Sequence, residues 1–322
     1  MRKPIAGIHH VTAMASDPQA NVDFYTGVLG LRLVKKTVNF DDPGTYHLYY
    51  GDEVGHPGTI MTFFPWPLAR RGAQGAGQAT VTSFAVPAGS LGFWTERLSR
   101  LGVTFDGVKT RFDEEVLTLL DPDGLRLELV GRAADGRPGW DGGPVPIEHA
   151  VRGFDGVTLT EWNLDVTRNV LAGTLGFRRV GEEGDRVRFE AGPGEGVGAG
   201  SRVDVLASPS AARGRVSAGT VHHVAFRAAD EADQLAWRQA VDESGLSVTP
   251  VLDRQYFRSI YFREPGGVLF EIATDPPGFT WDEPVESLGS GLKLPPWLEE
   301  SRSRIEAALP PVETHQVAGG VA

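Results

Sequence analysis

The stretch Gly7-Ile8-His9-His10-Val11-Thr12 near the N-terminus is matched more than two hundred residues later by Thr220-Val221-His222-His223-Val224-Ala225-Phe226. Each stretch surrounds two adjacent histidines with β-branched and apolar residues, a pattern that favours a strand. The two doublets contain half of the eight histidines in the chain. A repeated histidine pair at the start of two β-prone segments therefore predicts two related strands that share one site.

A third stretch places a carboxylate in an apolar strand. Pro265-Gly266-Gly267-Val268-Leu269-Phe270-Glu271-Ile272 has the pattern of a buried strand with a single acidic residue. A buried carboxylate without a partner is costly, so a positive group is expected beside Glu271. We therefore predict that His10, His223 and Glu271 meet around one metal ion. Two histidines and one carboxylate are typical of non-haem Fe(II) sites, and Mn(II) uses similar ligands.

Composition limits the classes of partner. The chain has 322 residues, a net charge of −11 and no cysteine, which disfavours nucleic acid or an anionic membrane as a partner and excludes thiolate metal sites. No apolar run approaches the roughly 20 residues of a membrane span. Because Met1–Ile5 is not followed by the apolar block of a signal peptide, we expect a cytoplasmic protein.

Four segments repeat one order of elements, namely a strand, an amphipathic helix and two or three further strands. The repeat predicts an α+β fold of four βαβββ modules in two pairs, which form open, curled β-barrels with peripheral helices. Residues 1–135 are expected to hold the N-terminal pair of modules and residues 151–280 the C-terminal pair. Residues 136–150 are a Gly/Pro-rich linker, and residues 281–322 form a tail with a short helix.

The modules can be aligned on the second histidine of each doublet. The equivalent residues of the first strands are His10, Val81, Gly156 and His223. The corresponding residues of the last strands are interpreted as Phe63, Glu128, Asp204 and Glu271. Modules one and four thus offer three metal-binding residues, whereas modules two and three offer no imidazole. The alignment predicts a transition-metal site in the first combination only, with Glu128 as a structural carboxylate.

These modules resemble the vicinal oxygen chelate superfamily of glyoxalase I, bleomycin-resistance proteins and extradiol dioxygenases. The resemblance covers about residues 5–275 and includes the helix end Phe24-Tyr25…Val28-Leu29-Gly30. A closer resemblance is to the dioxygenases that open para-hydroquinones, the group containing chlorohydroquinone 1,2-dioxygenase. It rests on His9-His10-Val11-Thr12, Tyr46-His47-Leu48-Tyr49-Tyr50, Gly58–Thr62, Val145–Ala150, Arg152-Gly153-Phe154, His222-His223, Tyr261 and Pro265–Glu271.

The resemblance implies an Fe(II) enzyme that inserts O₂ into a hydroquinone-type ring, with a small aromatic molecule and O₂ as its partners. Its iron ligands would be His10, His223 and Glu271. The outer-shell residues that it implies are His9, Thr12, His222, Arg254 and Tyr261. A homo-oligomer is the default expectation for a soluble protein.

Strand alternation predicts that only the second histidine of each doublet points at the ion, while His9 and His222 orient ligands or transfer protons. We expect His222 or Tyr261 to accept the proton of a bound hydroxyl group. His9, His222 or Arg254 would stabilise the developing oxyanion.

Two other functions use the same fold. A glyoxalase-like isomerase or lyase would need a fourth protein ligand where Phe63 is placed, and a binding protein of the bleomycin-resistance type would need no metal. The phenylalanine favours the dioxygenase over the isomerase, and the paired histidines argue against the binding protein. His47 is interpreted as a packed strand residue rather than a ligand.

Overall fold

The computed structural model describes residues 2–192 and 200–314, and every repeated segment in them forms a strand, a helix and three more strands. The strands of modules one and two are β1 Ile8–Ala15, β2 Arg32–Asn39, β3 Asp42–Gly51, β4 Ile60–Pro65, β5 Gln78–Pro87, β6 Lys109–Arg111, β7 Glu114–Leu120 and β8 Arg126–Arg132. Those of modules three and four are β9 Gly153–Glu161, β10 Arg178–Glu183, β11 Arg186–Glu190, β12 Arg202–Ala207, β13 Thr220–Ala228, β14 Leu252–Asp253, β15 Arg258–Arg263 and β16 Leu269–Thr274. The predicted βαβββ modules are confirmed.

The α-helices are α1 Pro18–Val22, α2 Leu91–Arg100, α3 Leu164–Arg168, α4 Glu231–Glu243 and α5 Arg302–Ala308, and π-helical turns extend α1 over Asp23–Val28 and α3 over Asn169–Thr174. Side chains cap the starts of three of the five α-helices that the structure describes, namely α1, α3 and α4. Asp17 caps α1 by accepting a hydrogen bond from the Ala20 backbone N–H at 2.9 Å. Gly30 follows with a φ of +70°, the left-handed conformation expected of a residue that ends a helix.

The strands form two eight-stranded sheets. The first sheet contains modules one and four, and the second contains modules two and three. The first sheet has the order β14-β15-β16-β13-β1-β4-β3-β2 and the second β10-β11-β12-β9-β5-β8-β7-β6. The strands that carry the histidine doublets, β1 and β13, are therefore adjacent and antiparallel at the centre of the first sheet. Residues 1–135 and 151–280 each contribute one module to each sheet, and the division of the chain into those domains stays a prediction.

A β-bulge interrupts each central strand of the first sheet. Ile8 and His10 pair with the consecutive residues Phe226 and Ala225, which leaves His9 as an extra residue in β1. Across the same pair, the register shift between Thr12 and Ala13 leaves His222 as an extra residue in β13. The first histidine of each doublet thus occupies a bulge, a feature that redirects side chains beside functional sites.

Helices cover one side of each sheet and bury large aromatic side chains there. Helix α2 packs against β7 and β8, and α4 packs against β13, β15 and β16. Trp94 of α2 and Trp237 of α4 are almost completely buried. The other face of the first sheet is consequently left for the site described below. No helix in the described ranges 2–192 and 200–314 is long and apolar enough to cross a membrane.

The tail is attached to the first sheet by a buried cation. Lys35 of β2 has no exposed side-chain area, and its Nζ lies 2.7 Å from Asp282 and 2.6 Å from Glu283. The tail then forms 3₁₀ turns at Phe279–Trp281, Val285–Ser287 and Pro296–Ser301 before α5, the short helix expected in this region. Residues 315–322 of the predicted tail lie outside the described residues.

Replacing Lys35 tests whether this ion pair fixes the tail. We expect Lys35→Ala to lower the free energy of unfolding by about 3 to 5 kcal/mol, because it leaves a buried carboxylate without a counter-charge. Urea unfolding followed by circular dichroism measures the change. Lys109→Ala, which removes an exposed ion pair with Asp106, is the matched control and should have little effect. Equal stability of both variants would contradict the interpretation.

Candidate metal centre

Three ligand-type atoms meet where β1, β13 and β16 lie side by side. His10 Nε2 lies 3.2 Å from His223 Nε2 and 3.3 Å from Glu271 Oε2, and His223 Nε2 lies 2.9 Å from the same oxygen. All three side chains are buried. The structure therefore brings together the three residues that the sequence predicts as metal ligands, and among the described residues they form a group able to hold an ion.

The spacing of these atoms fits ligands of a single metal ion. At metal–ligand distances of about 2.1 Å, ligands at 90° lie about 3.0 Å apart, whereas ligands at a tetrahedral angle lie about 3.4 Å apart. The observed separations of 2.9, 3.2 and 3.3 Å span these two values, so all three atoms are close enough together to bind one ion. Glu271 Oε2 is buried, and although the two imidazole nitrogens lie 2.9 and 3.3 Å away, no donor among the described residues is well aligned with it, which suits an oxygen that binds a cation. The residues thus fit one face of a metal site.

The electrostatics of the group favour the forms that bind metals. Burial alone would raise the pKa of the Glu271 carboxyl, but His10 and His223 hold it well below its usual value. Burial lowers the pKa of His223 and outweighs the opposing effect of Glu271. The carboxylate is therefore ionised while His223 is neutral, and both present lone pairs at neutral pH.

Each histidine of the group contacts the histidine that precedes it. His9 Nδ1 lies 2.9 Å from His10 Nδ1, and His222 Nδ1 lies 2.8 Å from His223 Nδ1. For Nε2 of a ligand histidine to offer a lone pair, its proton must be on Nδ1, which then donates to the neighbouring ring. The bulges explain this contact between adjacent residues. Regular alternation would turn His222 to the opposite face of the strand from His223, but both line the same cavity.

Strand register corrects the position of the missing fourth ligand. Thr12, two residues after His10, pairs with Thr62, and Ala225, two residues after His223, pairs with Glu271. Thr62 is therefore the module-one equivalent of Glu271, and the assignment of Phe63 to that position is wrong by one residue. A shift of one residue reverses the face of a strand.

The two neighbouring side chains have different surroundings. Phe63 packs in the core, 4.5 Å from the ring of Tyr25. The Thr62 hydroxyl instead bonds Thr12 at 3.2 Å and His47 at 2.6 Å. Module one therefore has a hydrogen-bonded threonine hydroxyl, not a carboxylate or an imidazole, at the position equivalent to Glu271.

A cavity of about 340 Å³ opens onto the ligand histidines. Its lining combines rings with a few polar groups: His10, Asn39, Phe40, Asp41, His47, Tyr49, Phe64, Trp66, His222, His223, Arg254, Phe257, Tyr261 and Leu269. Phe257 forms a wall beside the site, with its ring 4.9 Å from that of His10. The size and the aromatic lining suit a small planar molecule.

The predicted outer-shell residues fall into two groups. His222, Arg254 and Tyr261 line the cavity, whereas His9 and Thr12 are buried behind it. Arg254 Nε lies 3.2 Å from the Tyr261 hydroxyl. Its Nη1 lies 3.1 Å from Asp41 Oδ2. Arg254 therefore connects the mouth of the cavity with its interior.

Burial shifts the pKa values of two cavity residues, His222 and Tyr261, so that both are neutral. Burial lowers the pKa of His222 to about 3. Burial and the nearby Glu271 raise the pKa of Tyr261 well above its usual value. At neutral pH the cavity therefore presents a neutral imidazole and a protonated phenol.

Sequence reasoning missed several cavity residues. His47, interpreted as a packed strand residue, lines the cavity together with Tyr49 of the same strand. Its Nδ1 bonds the Tyr49 hydroxyl at 2.8 Å. The available signal was the spacing of His47 and Tyr49, which are two residues apart in a predicted strand and so lie on one face. Phe40, Asp41 and Phe257 lie on connections, where periodicity gives no information.

The second sheet neutralises its equivalent carboxylates with arginines. Glu128 accepts two hydrogen bonds from Arg111 at 2.8 and 2.7 Å. Asp204 accepts from Arg188 Nε at 2.8 Å and from Arg186 at 3.2 Å. Guanidinium groups thus provide the counter-charges in this sheet, in agreement with the structural interpretation of Glu128.

The chain matches the model of the Glyoxalase/Bleomycin resistance protein/Dioxygenase superfamily over residues 7–129 and 155–272. The chain belongs to this superfamily. The two matched stretches each contain two of the βαβββ modules, and together they carry all three residues of the metal group.

Relatives within the superfamily cover nearly the whole chain. A "Putative ring-cleaving dioxygenase MhqO" of Bacillus subtilis is 50% identical over 317 residues, 98% of this chain and 100% of the relative. A "Chlorohydroquinone/hydroquinone 1,2-dioxygenase" of Sphingobium indicum is 39% identical over 304 residues, 92% of this chain and 93% of the relative. The predicted resemblance to such dioxygenases is confirmed.

Solved structures agree with the fold. The crystal structure of a "putative dioxygenase" from Bacillus subtilis is 50% identical, with a TM-score of 0.92 and coverage of 98% of this chain and 99% of that one. Glyoxalase I from Zea mays is 16% identical, with a TM-score of 0.60 and coverage of 84% and 92%. The second likeness concerns the fold alone.

Removing one ligand tests the metal centre. We expect His223→Ala to abolish stoichiometric binding of divalent metal, because only two of the three protein ligands remain. Metal analysis after anaerobic loading and gel filtration measures this. His56→Ala, which changes an exposed turn histidine paired with Asp52, is the control and should keep the metal. Full metal retention by His223→Ala would refute the ligand assignment.

Adding a carboxylate tests the corrected register. We expect Thr62→Glu to tighten metal binding by about tenfold or more, because an additional anionic ligand reaches the site. Phe63→Glu should instead destabilise the fold by about 3 kcal/mol or more, since it buries a charge in the apolar core. Metal titration and urea unfolding of both variants distinguish the positions. Tighter metal binding by Phe63→Glu would instead support the sequence-based alignment, in which Phe63 is the equivalent of Glu271.

Proposed function

We propose that the protein is an Fe(II)-dependent ring-cleaving dioxygenase that inserts O₂ into a hydroquinone-type ring. The observation that carries this proposal is that His10, His223 and Glu271 meet beside an aromatic-lined cavity, while the fourth equivalent position is occupied by the neutral side chain of Thr62. Such a face leaves three positions of an octahedral ion open, enough for a substrate hydroxyl and O₂ together. The names of the relatives support the same chemistry and the hydroquinone class.

His10, His223 and Glu271 would hold the metal. When bound, Fe(II) supplies the redox centre that lets an aromatic ring react with O₂, and Mn(II) would fit the same ligands. His9 and His222 would fix the orientation of the ligand rings through the Nδ1 contacts. Ser259 would fix the carboxylate, because its hydroxyl donates a short hydrogen bond to Glu271 Oε1.

The cavity would bind and orient the phenolic ring. Phe257 and Phe64 offer apolar ring faces on its walls. His222 lies beside His223 in the lining. Because its Nδ1 accepts a hydrogen bond from His223, its proton is on Nε2, from which it would donate a hydrogen bond to a substrate oxygen rather than act as the base expected from the sequence. The Tyr261 hydroxyl accepts a hydrogen bond from Arg254, so its own proton stays available to a substrate oxygen that gains negative charge.

We infer an extradiol-type outcome, in which the ring opens between the hydroxyl-bearing carbon and its neighbour. Both atoms of O₂ would enter the product, one at each carbon of the broken bond, so the reaction needs no external reductant. A homo-oligomeric assembly and a cytoplasmic location remain predictions from the sequence.

Oxygen uptake tests the proposal directly. Protein loaded anaerobically with Fe(II) should consume O₂ in equimolar ratio to added hydroquinone and yield a ring-opened acid, because both oxygen atoms enter the product. An oxygen electrode and mass spectrometry with ¹⁸O₂ measure this. The His223→Ala variant is the control. Tight binding of zinc or nickel, with no oxygen uptake after addition of any hydroquinone or catechol, would contradict the proposal.

Substitution of Tyr261 tests the donor role. We expect Tyr261→Phe to lower kcat by about 10²-fold, the usual cost of removing one oxyanion-stabilising donor, with a small change in KM and unchanged iron content. Steady-state oxygen consumption measures both constants. Tyr46→Phe, which removes a hydroxyl bonded to the Pro310 carbonyl outside the cavity, is the matched control. Equal kcat in the two variants would contradict the role.

A further inference from the structure

An ion pair between Asp41 and Arg254 lies at the mouth of the cavity. Arg254 Nη1 is 3.1 Å from Asp41 Oδ2, and both residues belong to the cavity lining. Asp41 lies in the turn between β2 and β3, whereas Arg254 directly follows β14. Because β2 and β14 are the opposite edges of the first sheet, the sheet curls far enough for residues next to its two edges to meet beside the cavity.

The two partners differ in exposure, and each makes a second hydrogen bond. The side chain of Asp41 is 75% exposed and that of Arg254 is 20% exposed. The Asp41 backbone N–H donates to Asn39 Oδ1 at 3.0 Å, and Arg254 Nε donates to the Tyr261 hydroxyl at 3.2 Å. The carboxylate therefore lies at the solvent side of the lining, while the guanidinium group extends towards its interior.

Asp41 and Arg254 carry the formal charges of the cavity lining outside the metal group. The other side chains there are imidazoles, phenols, an amide, an indole, phenyl rings and one leucine. The imidazole of His47 is uncharged, because burial lowers its pKa well below the usual value. The pKa of Arg254 lies above its ordinary value, since burial opposes the charged form but Tyr261 and Asp41 favour it. Asp41 therefore faces a permanent cation and cancels its charge.

The cavity is small enough for this pair to act on any molecule inside it. A sphere of 340 Å³ is about 9 Å across, which is comparable with the Debye length of about 8 Å at physiological ionic strength. A carboxylate on a bound ring would be attracted by Arg254 and repelled by Asp41, and it would lose part of its hydration on entry. A neutral substituent of the same size does not carry that cost.

We propose that Asp41 is a specificity-determining residue that makes the cavity selective for uncharged hydroquinone-type rings over rings with an anionic substituent. It does so by neutralising Arg254, because an unpaired guanidinium group in the lining would form a charge-assisted hydrogen bond with a carboxylate on the ring. The inference rests on the proposed function and narrows its substrate class.

The binding of one acid and its amide tests the proposal without turnover. The probes are (2,5-dihydroxyphenyl)acetate and (2,5-dihydroxyphenyl)acetamide, which have nearly the same shape and differ in charge at neutral pH. Anaerobic titration calorimetry of the Fe(II)-loaded protein gives the ratio of their dissociation constants, acid to amide. We expect Asp41→Asn, which keeps the shape of the side chain, to lower this ratio by about tenfold, because the unpaired guanidinium group then favours the acid.

Two variants control for other effects of the substitution. Asp106→Asn removes the same charge from an exposed ion pair with Lys109, outside this cavity, and should keep the wild-type ratio. Asp41→Glu retains the negative charge and should also keep a ratio close to that of the wild type. Any contribution of the metal to binding of the acid is common to all four proteins, so it cancels when their ratios are compared.

An unchanged ratio in Asp41→Asn, or an equal fall in Asp106→Asn, would overturn the proposal while leaving the proposed function intact. The expected fall in the ratio, together with no oxygen uptake by the Fe(II)-loaded protein on any hydroquinone, would instead overturn the proposed function and support the role of Asp41. A wild-type protein that binds neither compound would overturn both.

Discussion

Burial of the Glu271 carboxylate between two imidazoles is the constraint on which the site depends. An ionised carboxylate in a strand at the centre of a sheet is tolerated only with compensating partners. Here the partners are His10 and His223, which arrive from strands more than two hundred residues apart. A cation among the three atoms would satisfy their lone pairs, whereas no donor in the part of the chain that the structure describes is well aligned with Glu271 Oε2.

The sheet supplies the positions and the bulges supply the orientation. Combining module one with module four makes the first and last modules of the chain neighbours, so that β1 and β13 run side by side. Regular strands would point His9 and His222 away from their neighbours. An extra residue in each strand instead lets each histidine contact the ligand ring that follows it. The same architecture in the second sheet holds arginine–carboxylate pairs, which shows that the fold alone does not specify a metal.

The meeting of His10, His223 and Glu271 could be predicted from the sequence because the histidines combine a strand pattern with a rare residue type in repeated positions. The opposite strand could not be aligned with the same accuracy. The aligned positions of the first and last strands are farther apart in sequence in module one than in the other modules. An alignment error of one residue there selects Phe63, which faces the core, in place of Thr62. Bulges leave no signal in the alternation of apolar residues. The cavity walls at Asp41 and Phe257 depend on how connections fold over the sheet, which local periodicity does not encode.

The central claim is that one metal ion is held by His10, His223 and Glu271. Anomalous diffraction at the iron edge, from crystals grown anaerobically with Fe(II), tests it most directly. The account predicts one strong peak per chain, within bonding distance of His10 Nε2, His223 Nε2 and Glu271 Oε2. A peak bound to other residues, or an iron-free site in protein that still consumes O₂ with hydroquinone, would contradict it.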